Sequence, residues 1–204
     1  MVDYKKQYKD WYVPKASPMI VEIPPMRFLK ISGQGDPNGE DFATATAALY
    51  SLSYAVKMSY KSPVVPSGYY EYTVFPLEGV WDLVDKERPA TDKSNLAYEI
   101  MIRQPDFLDD DLLERFITET RKKKPNRYLD TVEMQICTDG LCCQMMHVGS
   151  YDDETASFER MRAYCESLGY HRASLKHREI YLSDPRKTEI AKLKTVLRFG
   201  IEKN

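Results

Sequence analysis

The clearest chemical signal in the chain is the stretch HREIYLSDP (177–185) near its C-terminal end. Its composition is that of a β-strand, in which successive side chains point to opposite faces. His177, Glu179 and Tyr181 would then share one face, and Ile180 would lie on the other face, toward the core. We therefore expect the carboxyl group and the phenol to face the same space.

A carboxylate and a phenol on one strand face suit the chemistry of a binding groove. Glu179 could attract a cationic ligand or take a proton from water as a general base. Tyr181 could donate a hydrogen bond to a ligand carbonyl and stabilise the negative charge that develops there. The plainer alternative is a solvated strand on which Glu179 pairs with Arg178 and the tyrosine merely packs.

The amino-acid composition indicates which classes of partner such a groove could bind. The 204 residues suit one large domain or two small joined ones. A formal net charge of −2, from 29 basic and 31 acidic residues, argues against a direct nucleic-acid partner. The sequence has neither a long apolar stretch nor an N-terminal signal pattern, so we expect no membrane segment. The 15 tyrosines against 7 phenylalanines favour a cleft lined by rings with polar tips, suited to planar aromatic small molecules.

Cysteines, histidines and glycines predict neither a metal nor a cofactor. The 4 cysteines form no CxxC pair, and the 3 histidines lack the spacing of zinc ligands. The glycine-rich stretch GQGDPNG (33–39) does not have the GxGxxG spacing of a dinucleotide-binding loop. Unpaired cysteines also indicate a reducing, cytoplasmic compartment.

The two halves of the chain repeat one order of elements. In the first half, PMIVEIPPMRFLKISGQGD precedes an amphipathic helix, and YYEYTVFPLEGVW and LAYEIMIRQP follow as strands. In the second half, LCCQMMHVGSYDDE precedes a helix, and HREIYLSDP and KLKTVLRFGI follow as strands. The sequence therefore predicts an α+β fold, a pseudo-twofold tandem repeat of strand–helix–strand–strand modules. Helices would cover one side of the sheets and a ligand groove would occupy the other.

The whole chain is expected to form one domain, 1–204, with four parts along the sequence. These are an N-terminal extension (1–17), a first repeat (18–107), a connecting helix (108–127) and a second repeat (128–204). The connecting helix opens with aspartates and closes with lysines, which complements the helix dipole and explains the basic run locally.

Further groove residues follow from the predicted strands. Each is a ring, a carboxylate or a soft side chain on a strand face that could look into the groove: Tyr70, Tyr72, Trp81, Glu99, Met101, Met145 and His147. Trp81, after the expected turn LEG, is a candidate stacking surface for a planar ligand. Sequence alone leaves open which face of the Tyr70–Tyr72 strand lines the groove, whether Glu99 instead pairs with Arg103, and whether the methionines belong to the core.

Several stretches together resemble a known family. They are YKDWYVPKASPMIVEIPPMRFLKISGQGDPN, FPLEGVW, EIMIRQPDF, QMMHVGSYDDE and HREIYLSDPRKT followed by LKTVLR, and they span nearly the whole chain. The chain resembles the GyrI-like small-molecule-binding family in its stand-alone form. The resemblance implies a tandem repeat with a central ligand groove. It also implies relatives in which a buried glutamate holds cationic aromatic drugs.

The resemblance is strongest to a branch of cyclopropanoid cyclopropyl hydrolases, which open the strained ring of DNA-alkylating natural products with water. By position, Glu179 matches the acidic groove residue of the family, and Trp81 matches the Trp of its PLEG-x-W motif. Where many relatives have a second tryptophan, this chain has Asp82. The resemblance thus implies a hydrolase in which Glu179 is a catalytic residue, and the shared strand face adds Tyr181 as the second. The alternatives are a module that binds cationic or amphipathic drugs unchanged and, less favoured, an inhibitor of gyrase. The oligomeric state and the physiological ligand stay open.

Overall fold

A computed structural model describes residues 1–89 and 92–204 of the chain. The α+β class is confirmed, with strands that pair antiparallel and few helices. The helices are α1 (Tyr4–Gln7), α2 (Lys9–Tyr12), α3 (Glu40–Lys57), α4 (Asp110–Lys123) and α5 (Glu154–Ser167). The strands are β1 (Met19–Ile23), β2 (Met26–Gln34), β3 (Leu77–Leu83), β4 (Leu96–Arg103), β5 (Glu133–Cys137), β6 (Gly140–Val148), β7 (Tyr170–Arg172), β8 (His177–Tyr181) and β9 (Lys194–Lys203).

The order strand–helix–strand–strand occurs twice along the chain. It is β2, α3, β3, β4 in the first half and β6, α5, β8, β9 in the second, where the short β7 precedes β8. A pseudo-twofold relation between the two modules stays a prediction. Within the described ranges, no helix combines the length and the apolarity needed to cross a membrane.

The chain folds into two compact units that interleave in sequence. The first comprises Met1–Asp3, Met26–Phe75 and Leu83–Cys137, and the second comprises Tyr4–Pro25, Pro76–Asp82 and Thr138–Asn204. The units do not follow the repeat boundaries expected at 18–107 and 128–204. The reason is strand pairing, because β1 pairs with β6 and β3 pairs with β8. The expected extension 1–17 also contributes most of its residues, from Tyr4 on, to the second unit.

The first unit is built around strand β2. This strand pairs antiparallel with β4 on one side and with β5 on the other. Helix α3 packs on β2 and β4 and lies against α4. Its buried stripe recurs at three- and four-residue spacing, as an amphipathic helix requires: Ala45, Ala48, Leu49, Leu52 and Val56.

The second unit holds a sheet in the order β1-β6-β9-β8-β3, with β7 added on β9. One row across this sheet aligns Gly79, Glu179, Leu197 and Met145. Side chains in one row point to the same face. Helix α5 covers that face, and its residues join Met145 and Leu197 in a buried cluster.

The side of the sheet that carries Glu179 is therefore the side on which α5 packs. The sequence instead predicts the helices and the ligand groove on opposite sides. The difference has a simple cause, because Met145 and Leu197 share the row of Glu179 and are apolar, so this face must be covered. Glu179 lies where the N-terminal turn of α5 meets β8.

Candidate functional site

Strand β8 places three polar side chains on one face of the second unit. His177, Glu179 and Tyr181 alternate with Arg178 and Ile180, which point to the opposite face and are 5% and 0% exposed. The alternation is the period of two that the sequence predicts. Because β8 pairs with β3 on one side and β9 on the other, all three polar side chains project from a strand held along both edges.

The Glu179 carboxylate is sheltered and bound on both oxygens. Its side chain is 12% exposed. Oε2 accepts a hydrogen bond from the Tyr181 hydroxyl at 2.8 Å, and Oε1 lies 3.0 Å from His177 Nε2. Since a carboxylate can only accept, Nε2 carries the hydrogen. Burial, reinforced by the charge of Glu179, raises the pKa of Tyr181 well above its ordinary value, so the phenol keeps its proton.

Trp81 and Gly79 extend this chain of hydrogen bonds into strand β3. The indole Nε1 of Trp81 donates to the Tyr181 hydroxyl at 2.8 Å, and Trp81 is 6% exposed. Gly79 is the direct partner of Glu179 in the register of β3 with β8. A Cβ at position 79 would lie 2.8 Å from the indole nitrogen and 3.1 Å from the phenol oxygen. The glycine is thus what allows the indole and the phenol to meet above this strand. It lies inside β3, although the sequence analysis expected LEG to be a turn.

A second carboxyl group reaches Glu179 from helix α5. Glu154 is the first residue of the helix, is 7% exposed and shares a hydrogen bond with Glu179. The preceding turn is fixed by Ser150, whose hydroxyl accepts a hydrogen bond from the Asp152 amide at 3.2 Å. Burial, and then the negative charge of Glu179, raises the pKa of Glu154 to about 10.

Aromatic rings surround the carboxyl pair. Tyr151 meets the ring of Tyr181 edge to face with centroids 6.0 Å apart, and Phe158 meets His177 in the same manner at 4.8 Å. Tyr151 is 38% exposed and marks the side of the site that is open to solvent. Burial and the charge of Glu179 raise the pKa of Tyr151. Such a lining lowers the local dielectric constant and strengthens every charge interaction inside it.

The opposite face of β8 carries a cluster of paired charges. Arg178 donates from Nη1 to Glu78 Oε2 at 2.9 Å and from Nε to Asp139 Oδ2 at 2.7 Å. Arg198 Nη1 reaches the same Asp139 oxygen at 3.2 Å. Glu78 also accepts a hydrogen bond from the buried Tyr12 hydroxyl at 3.1 Å. The cluster ties β3 to β8 directly behind the residues that face the site.

The N-terminal segment is attached to the second unit through the same cluster. Arg198 Nη2 donates to the carbonyl oxygen of Trp11 at 2.6 Å. Gln144, which is fully buried, donates to the carbonyl oxygen of Asp10 and accepts from Arg198 Nε at 3.0 Å. The segment expected to be an extension therefore supplies backbone acceptors to buried side chains of the sheet.

Met145 and His147 lie in the second unit but do not contact Glu179 through any described hydrogen bond. Met145 is 1% exposed and belongs to the apolar cluster beneath α5, which is the core alternative that the sequence analysis left open. His147 has both ring nitrogens bound, Nδ1 to Ser157 Oγ and Nε2 to the Ser150 carbonyl, each at 2.9 Å. His147 thus fixes the turn that leads into α5.

The remaining candidates belong to the first unit. Tyr72 makes a single bridge with Val2 where the sequence predicts a strand, is 1% exposed and shares ring contacts with Tyr70 and Phe107. Burial raises its pKa. Glu99 pairs with Lys30 at 3.1 Å; the sequence makes it a groove candidate, with an ion pair to Arg103 as the alternative. These residues describe a buried ring cluster and a strand-to-strand ion pair within the first unit.

Met101, also in the first unit, is 1% exposed. Its burial places it in the core of that unit, as is common for an apolar strand residue. Among the described residues, no group of three or more His, Cys, Asp or Glu side chains is arranged to hold a metal ion.

Glu154, Gly79 and Tyr151 are missing from the sequence-based site. A signal for Glu154 is present in the chain, because residue 154 continues the apolar stripe of Phe158 and Met161 at four- and seven-residue offsets. A carboxyl group on the buried stripe of a helix predicts either a partner or a retained proton. Glu154 is also the last residue of the acidic run YDDE, and acidic residues are favoured at helix starts whether or not they are buried. The sequence therefore does not distinguish a buried Glu154 from an exposed one.

Comparisons with known proteins agree with this architecture. The family model of the GyrI-like small molecule binding domain matches residues 16–201. A crystal structure of an uncharacterized conserved protein from Listeria innocua is 37% identical, with a TM-score of 0.93 over 99% of this chain and 100% of that chain. A crystal structure of a hydrolase from Listeria innocua is 36% identical, with a TM-score of 0.91 over 99% and 100% of the two chains.

A more distant likeness concerns the fold alone. The crystal structure of the EcmrR C-terminal domain is 16% identical, with a TM-score of 0.55 over 92% of this chain and 98% of that chain. A comparison with curated proteins finds no match.

Proposed function

The chain belongs to the GyrI-like family of small-molecule-binding domains, and we propose that it is a hydrolase that adds water to strained-ring, cyclopropanoid aromatic compounds. The observation that carries the proposal is the sheltered Glu179 carboxylate, bound on both oxygens within a lining of rings. The relatives at 36% identity that are described as hydrolases from Listeria innocua support the reaction class.

The reaction needs a base that takes a proton from water and a group that accepts the electron pair of the broken carbon–carbon bond. The oxygen of water forms a bond to a carbon of the cyclopropane while a carbon–carbon bond of the ring breaks. The electron pair of the broken bond moves onto a conjugated carbonyl oxygen, which becomes an enolate or phenolate. Glu179 takes the proton that water loses and then returns it to that oxygen, so the protein ends each turnover unchanged.

Tyr181 and His177 hold the base in position. Both donate to Glu179, so the carboxylate keeps one orientation. The phenol proton already serves Glu179, which favours an orienting role for Tyr181 over the carbonyl-polarising role that its strand position allows. Trp81 fixes the phenol in turn and stays a proposed stacking surface.

Product analysis with a cyclopropane-bearing alkylating compound tests the proposal. Wild-type protein should give the hydrated, ring-opened product. Glu179→Gln, which keeps the shape and removes the base, should reduce the rate about 10²–10⁴-fold. The matched control is Glu159→Gln on the exposed face of α5, which should leave the rate unchanged. No hydrated product with wild type, or full turnover by Glu179→Gln, would refute the hydrolase.

A second function is favoured by the same carboxylate. One negative charge among aromatic rings is also the chemistry that holds a cationic aromatic compound without changing it. A rhodamine cation should then bind and be recovered intact. Loss of affinity in Glu179→Gln, combined with no turnover of cyclopropanoid compounds, would select this binding function over the hydrolase.

A further inference from the structure

Two carboxyl groups in hydrogen-bond contact must hold a proton between them. Glu154 and Glu179 share such a bond, and ionised carboxylates only accept. Glu179 already accepts from His177 on one oxygen and from Tyr181 on the other. These two donors stabilise the ionised form of Glu179, so Glu154 is the member of the pair that carries the proton.

Opposing effects act on the protonation of Glu154, and burial is the largest of them. Its place at the start of α5 favours the ionised form, because the helix dipole attracts negative charge there. Against this, the side chain is 7% exposed, and the negative charges of Glu179 and Asp152 both oppose ionisation. The other titratable groups around the pair, from β6, the turn before α5, β8 and the turn after β8, are His147, Tyr151, His177, Tyr181 and Asp184.

The second oxygen of Glu154 gives an independent indication. Oε1 is buried and has no hydrogen-bond partner among the described residues. An unpartnered oxygen on a charged carboxylate would carry a large desolvation penalty, whereas the carbonyl oxygen of a neutral acid carries a much smaller one. The geometry is therefore that of a carboxylic acid whose hydroxyl is used and whose carbonyl is not.

We propose that Glu154 is a positioning residue that stays a neutral carboxylic acid, donates a hydrogen bond to Glu179 and leaves the pair with a single negative charge. The site would then suit a monocation or a neutral electrophile, and not a dication. The catalytic half of this inference rests on the proposed function, because a base held in its charged form can accept a proton from water. The structural half stands without it.

Infrared difference spectroscopy at pH 8 tests the structural half. Wild type minus Glu154→Gln should show the carbonyl band of a protonated carboxylic acid, whereas wild type minus Glu159→Gln should not. Binding of a rhodamine cation adds a charge test that needs no turnover. Since the side chain that Glu154→Gln replaces is already neutral, the affinity should change less than about threefold.

Turnover by two variants tests the positioning role. Glu154→Gln retains a neutral donor and should keep kcat within about threefold, whereas Glu154→Leu has no donor and should lower kcat about 10- to 100-fold. Circular dichroism confirms that both variants are folded. Rescue by Gln but not by Leu distinguishes a donor from a packing residue.

Specific results would overturn the inference. They are no acid band in wild type, a large loss of cation affinity in Glu154→Gln, equal loss of turnover in the Gln and Leu variants, or full turnover in the Leu variant. If wild type hydrolyses no cyclopropanoid compound, the proposed function fails, and the infrared and binding results still decide the protonation state of Glu154.

Discussion

Arg178 and Glu179 are neighbours on strand β8, and their side chains point to opposite faces of one sheet. The carboxyl groups on these two faces have different kinds of partners. On the Arg178 side, Glu78 and Asp139 are bound by the guanidinium groups of Arg178 and Arg198. Both acids and both bases there are at least three-quarters buried. The charges cancel within the cluster, and the cluster stays closed by the N-terminal segment.

On the other side, the carboxyl groups of Glu179 and Glu154 are bound by an imidazole, a phenol and each other. The pair retains one negative charge and lies next to the half-exposed ring of Tyr151. Removing one partner of a buried ion pair of matched charge costs stability, whereas a sheltered carboxylate next to a part-exposed ring is available to a ligand. We therefore infer a structural role for the Arg178 face of β8 and propose a chemical role for the Glu179 face.

The largest predicted effect is on the structural face. Arg178→Met would leave Glu78 and Asp139 without their shared guanidinium and should lower the free energy of unfolding by about 3–5 kcal/mol, measured by urea denaturation. The control is Arg162→Met, whose guanidinium is exposed and lies 3.9 Å from Glu166, with a change below about 0.5 kcal/mol. A loss of less than about 1 kcal/mol in Arg178→Met would contradict the structural assignment.

The next effect concerns pH and the chemical face. Because the pKa of Glu154 is raised in the folded protein to about 10, its stabilising contribution is complete at low pH and is lost as pH rises toward that value. The stability of wild type relative to Glu154→Gln should fall by about 1.4 kcal/mol per pH unit between pH 6 and 8. Urea denaturation at several pH values measures this. Parallel profiles for the two proteins would show that Glu154 is ionised in both states.

A smaller effect is predicted at the point where β3 meets β8. Gly79→Ala places a methyl group against the Trp81 indole and the Tyr181 hydroxyl, and should lower the free energy of unfolding by about 1–3 kcal/mol. Gly200→Ala on β9 is the matched control, because its Cβ would meet Ala173 at 3.9 Å, an ordinary contact. Equal stability of the two variants would mean that the indole and the phenol do not need to meet.

The smallest effect is predicted for a single hydroxyl. Tyr181→Phe removes one donor to Glu179 and the acceptor of Trp81 Nε1, and should lower the free energy of unfolding by about 1 kcal/mol. Tyr54→Phe, at a ring that is 52% exposed, serves as the control and should change little. If Tyr181→Phe were more stable than wild type by a similar amount, the hydrogen-bond chain would not be a stabilising feature.

Local periodicity was enough to predict part of the site. The alternation in HREIYLSDP places His177, Glu179 and Tyr181 on one face, and the structure has them there. Alternation cannot say what covers that face, which depends on a helix that begins more than twenty residues earlier in the chain. The acid partner from α5 was therefore missed, and the helix was expected on the other side of the sheet.

Pairing between distant strands explains the other differences. The sequence predicts a turn at Gly79, since glycine is common in turns. The glycine instead pairs with Glu179 inside a strand, and its missing side chain leaves room for the Trp81 indole. The N-terminal segment precedes the first predicted repeat and is therefore expected to be an extension. Its carbonyl groups nevertheless satisfy Arg198 and Gln144, contacts that no local pattern predicts.

A crystal structure of Glu179→Gln soaked with a cyclopropane-bearing aromatic compound would show whether the Glu179 side of β8 is the reactive one. We expect the compound to lie against Tyr151 and a water molecule to bridge residue 179 and the strained ring, at about 3–3.5 Å from the ring carbon. A compound bound elsewhere, with residue 179 still enclosed by its present neighbours, would contradict the assignment of this side of β8 as the reactive one.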